Sequence, residues 1–184
     1  MKGGIDAWNG LVSTAEVDQG MYLIEGNETR EEVISLAYGL EEGAYRFYRD
    51  LSEQSGDGEI QDLFENLSQA EIRHKEKLWE EYKALKGGGV PHTAFESEII
   101  TETMEGGKTA DQILAEYPDW IQDPLEALQL AMSLETDALD LYLRMALKSR
   151  NEETKAVFYA LADDEKIHLR KLGDLLRAKL RTGS

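Results

Sequence analysis

Ala37-Tyr-Gly-Leu-Glu41-Glu-Gly-Ala44-Tyr-Arg-Phe47-Tyr48 and Ala131-Met-Ser-Leu-Glu135-Thr-Asp-Ala138-Leu-Asp-Leu141-Tyr142 carry a glutamate, an alanine and a tyrosine at one spacing, 94 positions apart. The same offset continues downstream, pairing Phe64 with Phe158, Leu67 with Leu161, Glu71 with Glu165, His74 with His168 and Leu78 with Leu172. An offset that stays constant over such a length marks an internal duplication. Two copies of one unit are expected to pack about a pseudo-two-fold axis.

Each copy has the period of a helical hairpin. From about Thr29 to Ser52, apolar residues recur at Val33, Ile34, Ala37, Leu40, Ala44, Phe47, Tyr48 and Leu51. Steps of three and four put these on one buried helix face. Ser55-Gly56-Asp57-Gly58 supplies the turn. A second helix is predicted from about Glu59 to Lys86, with Ile60, Leu63, Phe64, Leu67, Leu78, Tyr82 and Leu85 on one face and Gly87-Gly88-Gly89 as its stop. Asp123-Pro124 is a good helix start, and Leu125, Leu128, Ala131, Met132, Ala138, Leu139, Tyr142 and Met145 follow it. After Ser149-Arg150-Asn151 a fourth helix carries Val157, Phe158, Leu161, Leu172, Leu175, Leu176 and Leu180. The three prolines all lie between residues 91 and 124, and the long middle connection has room for a short helix near Thr109–Tyr117. No convincing strand alternation is present. The fold class is therefore all-α, a four-helix bundle of two duplicated hairpins joined by one long crossover.

Six polar residues interrupt the apolar faces. Glu41 sits in the walk 34, 37, 41, 44, 48 and Glu135 in the walk 128, 132, 135, 139, 142. Glu71 and His74 share one face of the second helix, and Glu165 and His168 share one face of the fourth, each pair one turn apart. Four carboxylates and two imidazoles are thus directed at the bundle interior. Buried carboxylates cost several kcal/mol each when left ionised and unpaired. No Lys or Arg shares their stripe, whereas two divalent cations would balance four negative charges. One Glu from each of two helices plus Glu-x-x-His from each of the other two is the donor set of a dinuclear carboxylate site. Its mixed oxygen and nitrogen character suits iron or manganese and disfavours calcium. Glu42 competes with Glu41, but its partner by offset is Thr136, and it points off the stripe.

Composition narrows the rest. The chain has 184 residues, 20 Lys+Arg against 37 Asp+Glu, a net charge of −17 and no Cys. That length suits one domain with a short appendage. The charge argues against nucleic acid as a partner, since there is no basic stripe to contact phosphates. The lack of Cys removes disulfides, thiolate nucleophiles, zinc fingers and iron–sulfur clusters. No apolar run is long enough for a membrane span, and residues 1–18 do not form a secretory signal. A cytoplasmic protein is expected.

Together these motifs make residues 30–182 resemble the rubrerythrin-like branch of the ferritin-like superfamily. The signatures are Glu41-x-x-Ala44-x-x-Phe47-Tyr48, Glu71-x-x-His74 and Glu165-x-x-His168. The resemblance implies a ferritin-like bundle and a non-haem centre of two iron ions, with manganese or zinc as substitutes. It further implies reaction of the reduced centre with hydrogen peroxide or O2, and a homodimer more readily than a cage. Glu41, Glu71, His74, Glu135, Glu165 and His168 become the expected metal ligands, with no catalytic residue beyond them. Glu71 and Glu165 would bridge or nearly bridge the metals, and Glu41 and Glu135 would cap one each. Two departures stand out. Rubrerythrins carry a four-cysteine iron domain that this chain lacks, and they place an extra carboxylate one turn after the third-helix Glu, where this chain has Ala138.

A second resemblance lies in Gly3-Gly4-Ile5-Asp6-Ala7-Trp8-Asn9-Gly10, which looks like a segment near the end of rhodanese domains. It divides the chain into an N-terminal extension, 1–28, and a bundle domain, 29–184. The rhodanese cysteine is absent, so no sulfur-transferase activity follows. The leading functional expectation is a di-iron oxidoreductase that reduces peroxide or O2, drawing on an external electron donor or on Fe(II) itself. The alternative is a non-catalytic metal-binding or storage module associated with a rhodanese partner. Tyr48 and Tyr142, two turns after Glu41 and Glu135, are placed to hydrogen-bond a ligand carboxylate, to act as one-electron donors, or simply to fill the core. His92 is expected as an exposed loop residue, segment 96–105 as a solvated acidic loop, and Trp79 and Trp120 as packing or interface anchors.

Overall fold

The computed structural model describes residues 20–99, 103–116 and 123–182. Within them lie six α-helices: α1 (Arg30–Gln54), α2 (Gly58–Leu85), α3 (His92–Glu96), α4 (Ala110–Glu116), α5 (Pro124–Lys148) and α6 (Glu152–Thr182). Two 3₁₀ turns, Met21–Leu23 and Glu105–Gly107, complete the described elements, and none of them is a strand. The segment resembling rhodanese and Trp120 lie outside the described residues.

The duplication extends to the helix ends. Thr29 caps α1 in a reciprocal capping box with Glu32, and Asp123, 94 positions on, caps α5 by accepting from the N–H groups of Leu125 and Glu126. Asp57 caps α2 through Glu59 and Ile60, and its counterpart Asn151 accepts from Glu153 at the start of α6. Ser55 and Ser149 close α1 and α5 with N–H bonds to Leu51 and Met145. One set of capping chemistry was copied twice, and the two hairpins start and turn alike. The stop of α2 has no copy. Gly87 and Gly88 take left-handed backbone there, while α6 runs on through Thr182.

The apolar core is split into two layers. One contains Val33, Ile34, Leu78, Tyr142, Met145 and Phe158, joined by the start of α1, the ends of α2 and α5 and the start of α6. The other contains Tyr48, Leu51, Ile60, Phe64, Leu128 and Leu172, from the opposite ends of the same helices. The six interrupting polar residues fall between these layers. Upstream of α1, Ile24 is buried in the first layer, and Lys148 Nζ binds the carbonyls of Met21 and Ile24.

Two sequence expectations are corrected in the connection. His92 is exposed, as expected, but does not sit in a loop. It opens α3, and its ring stacks on Trp79 at 4.5 Å between centroids. Segment 96–105 is not simply a solvated acidic loop either, because Glu96 accepts a hydrogen bond from Tyr38 and Met104 is buried in the second core layer. The α6 stripe also reaches beyond the core, and Leu175 and Leu180 are exposed.

Candidate metal centre

All six residues singled out by the stripes converge between the core layers. Glu41, Glu71, Glu135 and Glu165 have no exposed surface, and His74 and His168 are almost fully buried. His74 Nδ1 lies 2.9 Å from Glu41 Oε2, and His168 Nδ1 lies 2.8 Å from Glu135 Oε2. The two imidazole rings stack at 4.9 Å, near enough to parallel to face one another across α2 and α6. Glu165 Oε1 is 3.9 Å from His74 Nδ1, and its Oε2 is 3.4 Å from His168 Nδ1. One carboxylate thus spans both imidazoles.

Glu71 occupies the matching position in the first hairpin. Its Oε2 lies 3.0 Å from His74 Nδ1, yet neither of its oxygens receives a hydrogen bond. Three overlapping groups of donor atoms can each close on an ion: Glu41, Glu71 and His74; Glu71, Glu135 and His168; His74, Glu165 and His168. Glu71 belongs to two of them and so does each histidine. An acceptor buried without a donor is costly in a folded protein, and a cation is the partner that would remove this cost. The donor set also matches, since neutral imidazole and carboxylate suit first-row divalent metals.

Tyr48 and Tyr142 reach across the duplication. The hydroxyl of Tyr48 donates to Glu135 Oε1 at 2.7 Å, and that of Tyr142 donates to Glu41 Oε1 at 2.6 Å. Each hairpin therefore orients the single glutamate of the other. Sequence spacing placed these tyrosines near a carboxylate but did not show that it belongs to the opposite hairpin.

The protonation pattern follows from crowding. Burial pushes the Glu71 carboxyl well above the usual carboxylate range, and the charges of Glu41 and Glu135 push it the same way. Burial also raises Glu41, but the His74 charge and hydrogen bond, with Glu71 and Tyr142, outweigh it and hold Glu41 low. Glu135 is held low against burial by His168, Glu165 and Tyr48. Without metal this crowding favours a proton on Glu71. Metal ions would take the place of that proton.

Glu42 lies beside the cluster rather than in it. It pairs with Lys75 and with Arg46, whose Nε is 2.6 Å away. Sequence reading missed the near-complete burial of Lys75, because only the fold shows that Glu42 is waiting for it.

Comparison with known proteins agrees with the helical fold. A hypothetical protein from Pyrococcus furiosus shares the fold at 21% identity, with a TM-score of 0.51 over 83% of this chain and 91% of that one. A ferritin-like diiron-carboxylate protein from Thermotoga maritima is 26% identical, with a TM-score of 0.50 over 84% of this chain and 98% of that one. No curated protein sequence gives a significant match. The rubrerythrin family model matches residues 16–82 and 32–176, taking in both hairpins. With its ferritin-like helical bundle and duplicated Glu and Glu-x-x-His elements, the chain belongs to the rubrerythrin family.

Proposed function

We propose that the chain is a non-haem di-iron protein that oxidises Fe(II) with hydrogen peroxide or O2. The observation that carries this reading is the fully buried Glu71, whose two oxygens receive no hydrogen bond although two histidines and three more carboxylates surround it. Glu41 and His74 would hold one ion, Glu135 and His168 the other, and Glu71 and Glu165 would be shared between them. Bound iron would supply the electrons that reduce the oxidant. Manganese or zinc fits the same donors.

The chain's own residues prepare the site. Tyr48 and Tyr142 each engage one oxygen of a terminal glutamate, so the other oxygen stays turned toward its histidine. The two apolar layers exclude bulk water from both ends and strengthen every charge interaction between them. Crowding favours a proton on Glu71, so filling the site would be coupled to proton release. External reductant or further Fe(II), and a homodimeric assembly, belong to the same proposal.

The test begins with anaerobic iron loading and metal analysis, followed by stopped-flow absorbance on adding peroxide or O2. Near two irons per chain, with rapid oxidation that is lost in Glu71→Ala and Glu165→Ala, supports the proposal. Stable binding without accelerated oxidation would favour the alternative of a non-catalytic metal-binding or storage module. Failure to bind metal would overturn both.

A further inference from the structure

The first hairpin carries a cluster of oxidisable rings that the second lacks. Tyr38 precedes Glu41 by one helical turn, so the two are neighbours on α1. Its ring is buried, while its hydroxyl donates to Glu96 Oε1 at 2.9 Å and lies 3.1 Å from His92 Nε2. The His92 ring stacks on Trp79 at 4.5 Å, and Trp79 is partly open to solvent. At the positions of Tyr38 and Trp79, 94 residues on, the second hairpin has Met132 and Gly173. Neither can carry an electron as an aromatic ring can.

We propose that Tyr38, with Glu96 as its proton acceptor and His92 and Trp79 as its link to the surface, is the one-electron port of this bundle. Removing an electron from a phenol makes it a strong acid, so oxidation is easy only where a base already holds the proton. Glu96 is that base. The step is balanced: the Tyr38 ring gives one electron toward hydrogen peroxide being reduced at the centre, its O–H bond breaks, the proton goes to Glu96, and a neutral phenoxyl radical remains. A one-electron donor meeting Trp79 returns the electron, and Glu96 returns the proton. Tyr48 and Tyr142 are closer to the centre, but they are fully buried and donate to carboxylates of the cluster. Burial, followed by the hydrogen bond and charge of Glu96, raises the Tyr38 hydroxyl well above its ordinary value, so Tyr38 rests as the phenol and its proton has to leave together with the electron.

In the complete cycle, which rests on the proposed peroxide chemistry, two electrons cross the port singly. With two protons from solvent they take one hydrogen peroxide to two waters. The port itself is tested without metal. Metal-free protein is illuminated with tris(bipyridine)ruthenium and persulfate, and oxidised side chains are located by peptide mass spectrometry. Tyr38 is expected to be modified despite being 3% exposed, alongside Tyr22, which is 71% exposed. Trp79→Phe and Glu96→Gln should each lower Tyr38 modification several-fold and leave Tyr22 unchanged. Modification of Tyr22 and Tyr159 with none at Tyr38, or a Tyr38 yield indifferent to both substitutions, would overturn the port.

A second arm adds peroxide to iron-loaded protein and freezes it for electron paramagnetic resonance. A tyrosyl signal lost in Tyr38→Phe but kept in Tyr48→Phe supports the full cycle. The reverse pattern overturns it. Iron content and iron oxidation are read in the same samples, so failure of the di-iron reading shows separately from failure of the port.

Discussion

Around the centre and at the helix caps the two hairpins share most of their contacts, and on their outer faces they diverge. The His74–Glu41 distance of 2.9 Å has its copy in His168–Glu135 at 2.8 Å, and the Tyr48–Phe64 stack at 6.0 Å has its copy in Tyr142–Phe158 at 6.4 Å. One step outward, the Glu42–Lys75 ion pair of the first hairpin is replaced by Thr136 and Leu169. Further out, the ring cluster of Trp79, Tyr82, His92 and Phe95 faces nothing similar at Gly173 and Leu176. Whatever holds two ions has to be present twice. Whatever connects the centre to the outside is needed once, and in that part the copies were free to drift.

The largest expected effect would break the match at its most shared residues. If Glu71 and Glu165 each serve both ions, Glu71→Ala and Glu165→Ala should both abolish binding of the pair, whereas Glu41→Ala and Glu135→Ala should each leave one ion bound. Metal analysis of the four variants checks this. Unequal losses between Glu41→Ala and Glu135→Ala would show that the outer Glu42–Lys75 difference penetrates to the centre.

A second effect depends on pH. Glu71 has a folded-state value raised above the ~4.3 of an unfolded glutamate, so its contribution to metal-free stability is full below that value and is lost as pH rises through the folded value. Glu41 and Glu135 are lowered, so their contribution is present above the unfolded value and disappears in acid. Metal bound at Glu71 would displace its proton. The rise in Tm on adding Fe(II) or Mn(II) should therefore widen as pH increases from about 5 to about 7. A metal-induced shift that is flat across this range would remove Glu71 from the coupling.

Much of this was legible in the sequence because charge and period are read on the same positions. Glu41 stands in a stripe where Ala37 and Ala44 leave no doubt about the buried face, and its copy at Glu135 repeats the statement. The helix boundaries were legible because Thr29, Asp57 and Asp123 are cap residues followed by helix-forming runs. The His92–Trp79 stack was not legible. It depends on α3 folding back over the end of α2, and neither residue has a periodic context that would reveal it. The crosswise reach of Tyr48 and Tyr142 was hidden for a related reason: spacing along one helix says nothing about which neighbouring helix a hydroxyl meets.

Those tyrosines give the next test of the match. Tyr48→Phe and Tyr142→Phe each leave one buried carboxylate oxygen without its donor, which costs about 1–3 kcal/mol, more when the acceptor is charged. Equal losses in urea unfolding of the metal-free protein are expected, because the two bonds are copies in equivalent surroundings. A loss at one tyrosine only would show that the opposite hairpin has found another donor.

The smallest effect tests the drifted region directly. Gly173 lies inside α6 at the position where α2 has Trp79, and a Cβ added there meets nothing within 4 Å. No packing, turn or positive φ holds a glycine at this point. It therefore gives up backbone entropy on folding with no compensating contact, and Gly173→Ala should stabilise the protein by about 0.5–1 kcal/mol. Gly43 is the contrasting case in α1: its Cβ would come within 2.9 Å of the Thr103 carbonyl, so the same change there should destabilise. Urea unfolding of both variants reads the two signs together. A gain at Gly173 and a loss at Gly43 would place the constraint where Thr103 and Met104 of the crossover press on α1, and the freedom at a point of α6 that no other segment approaches.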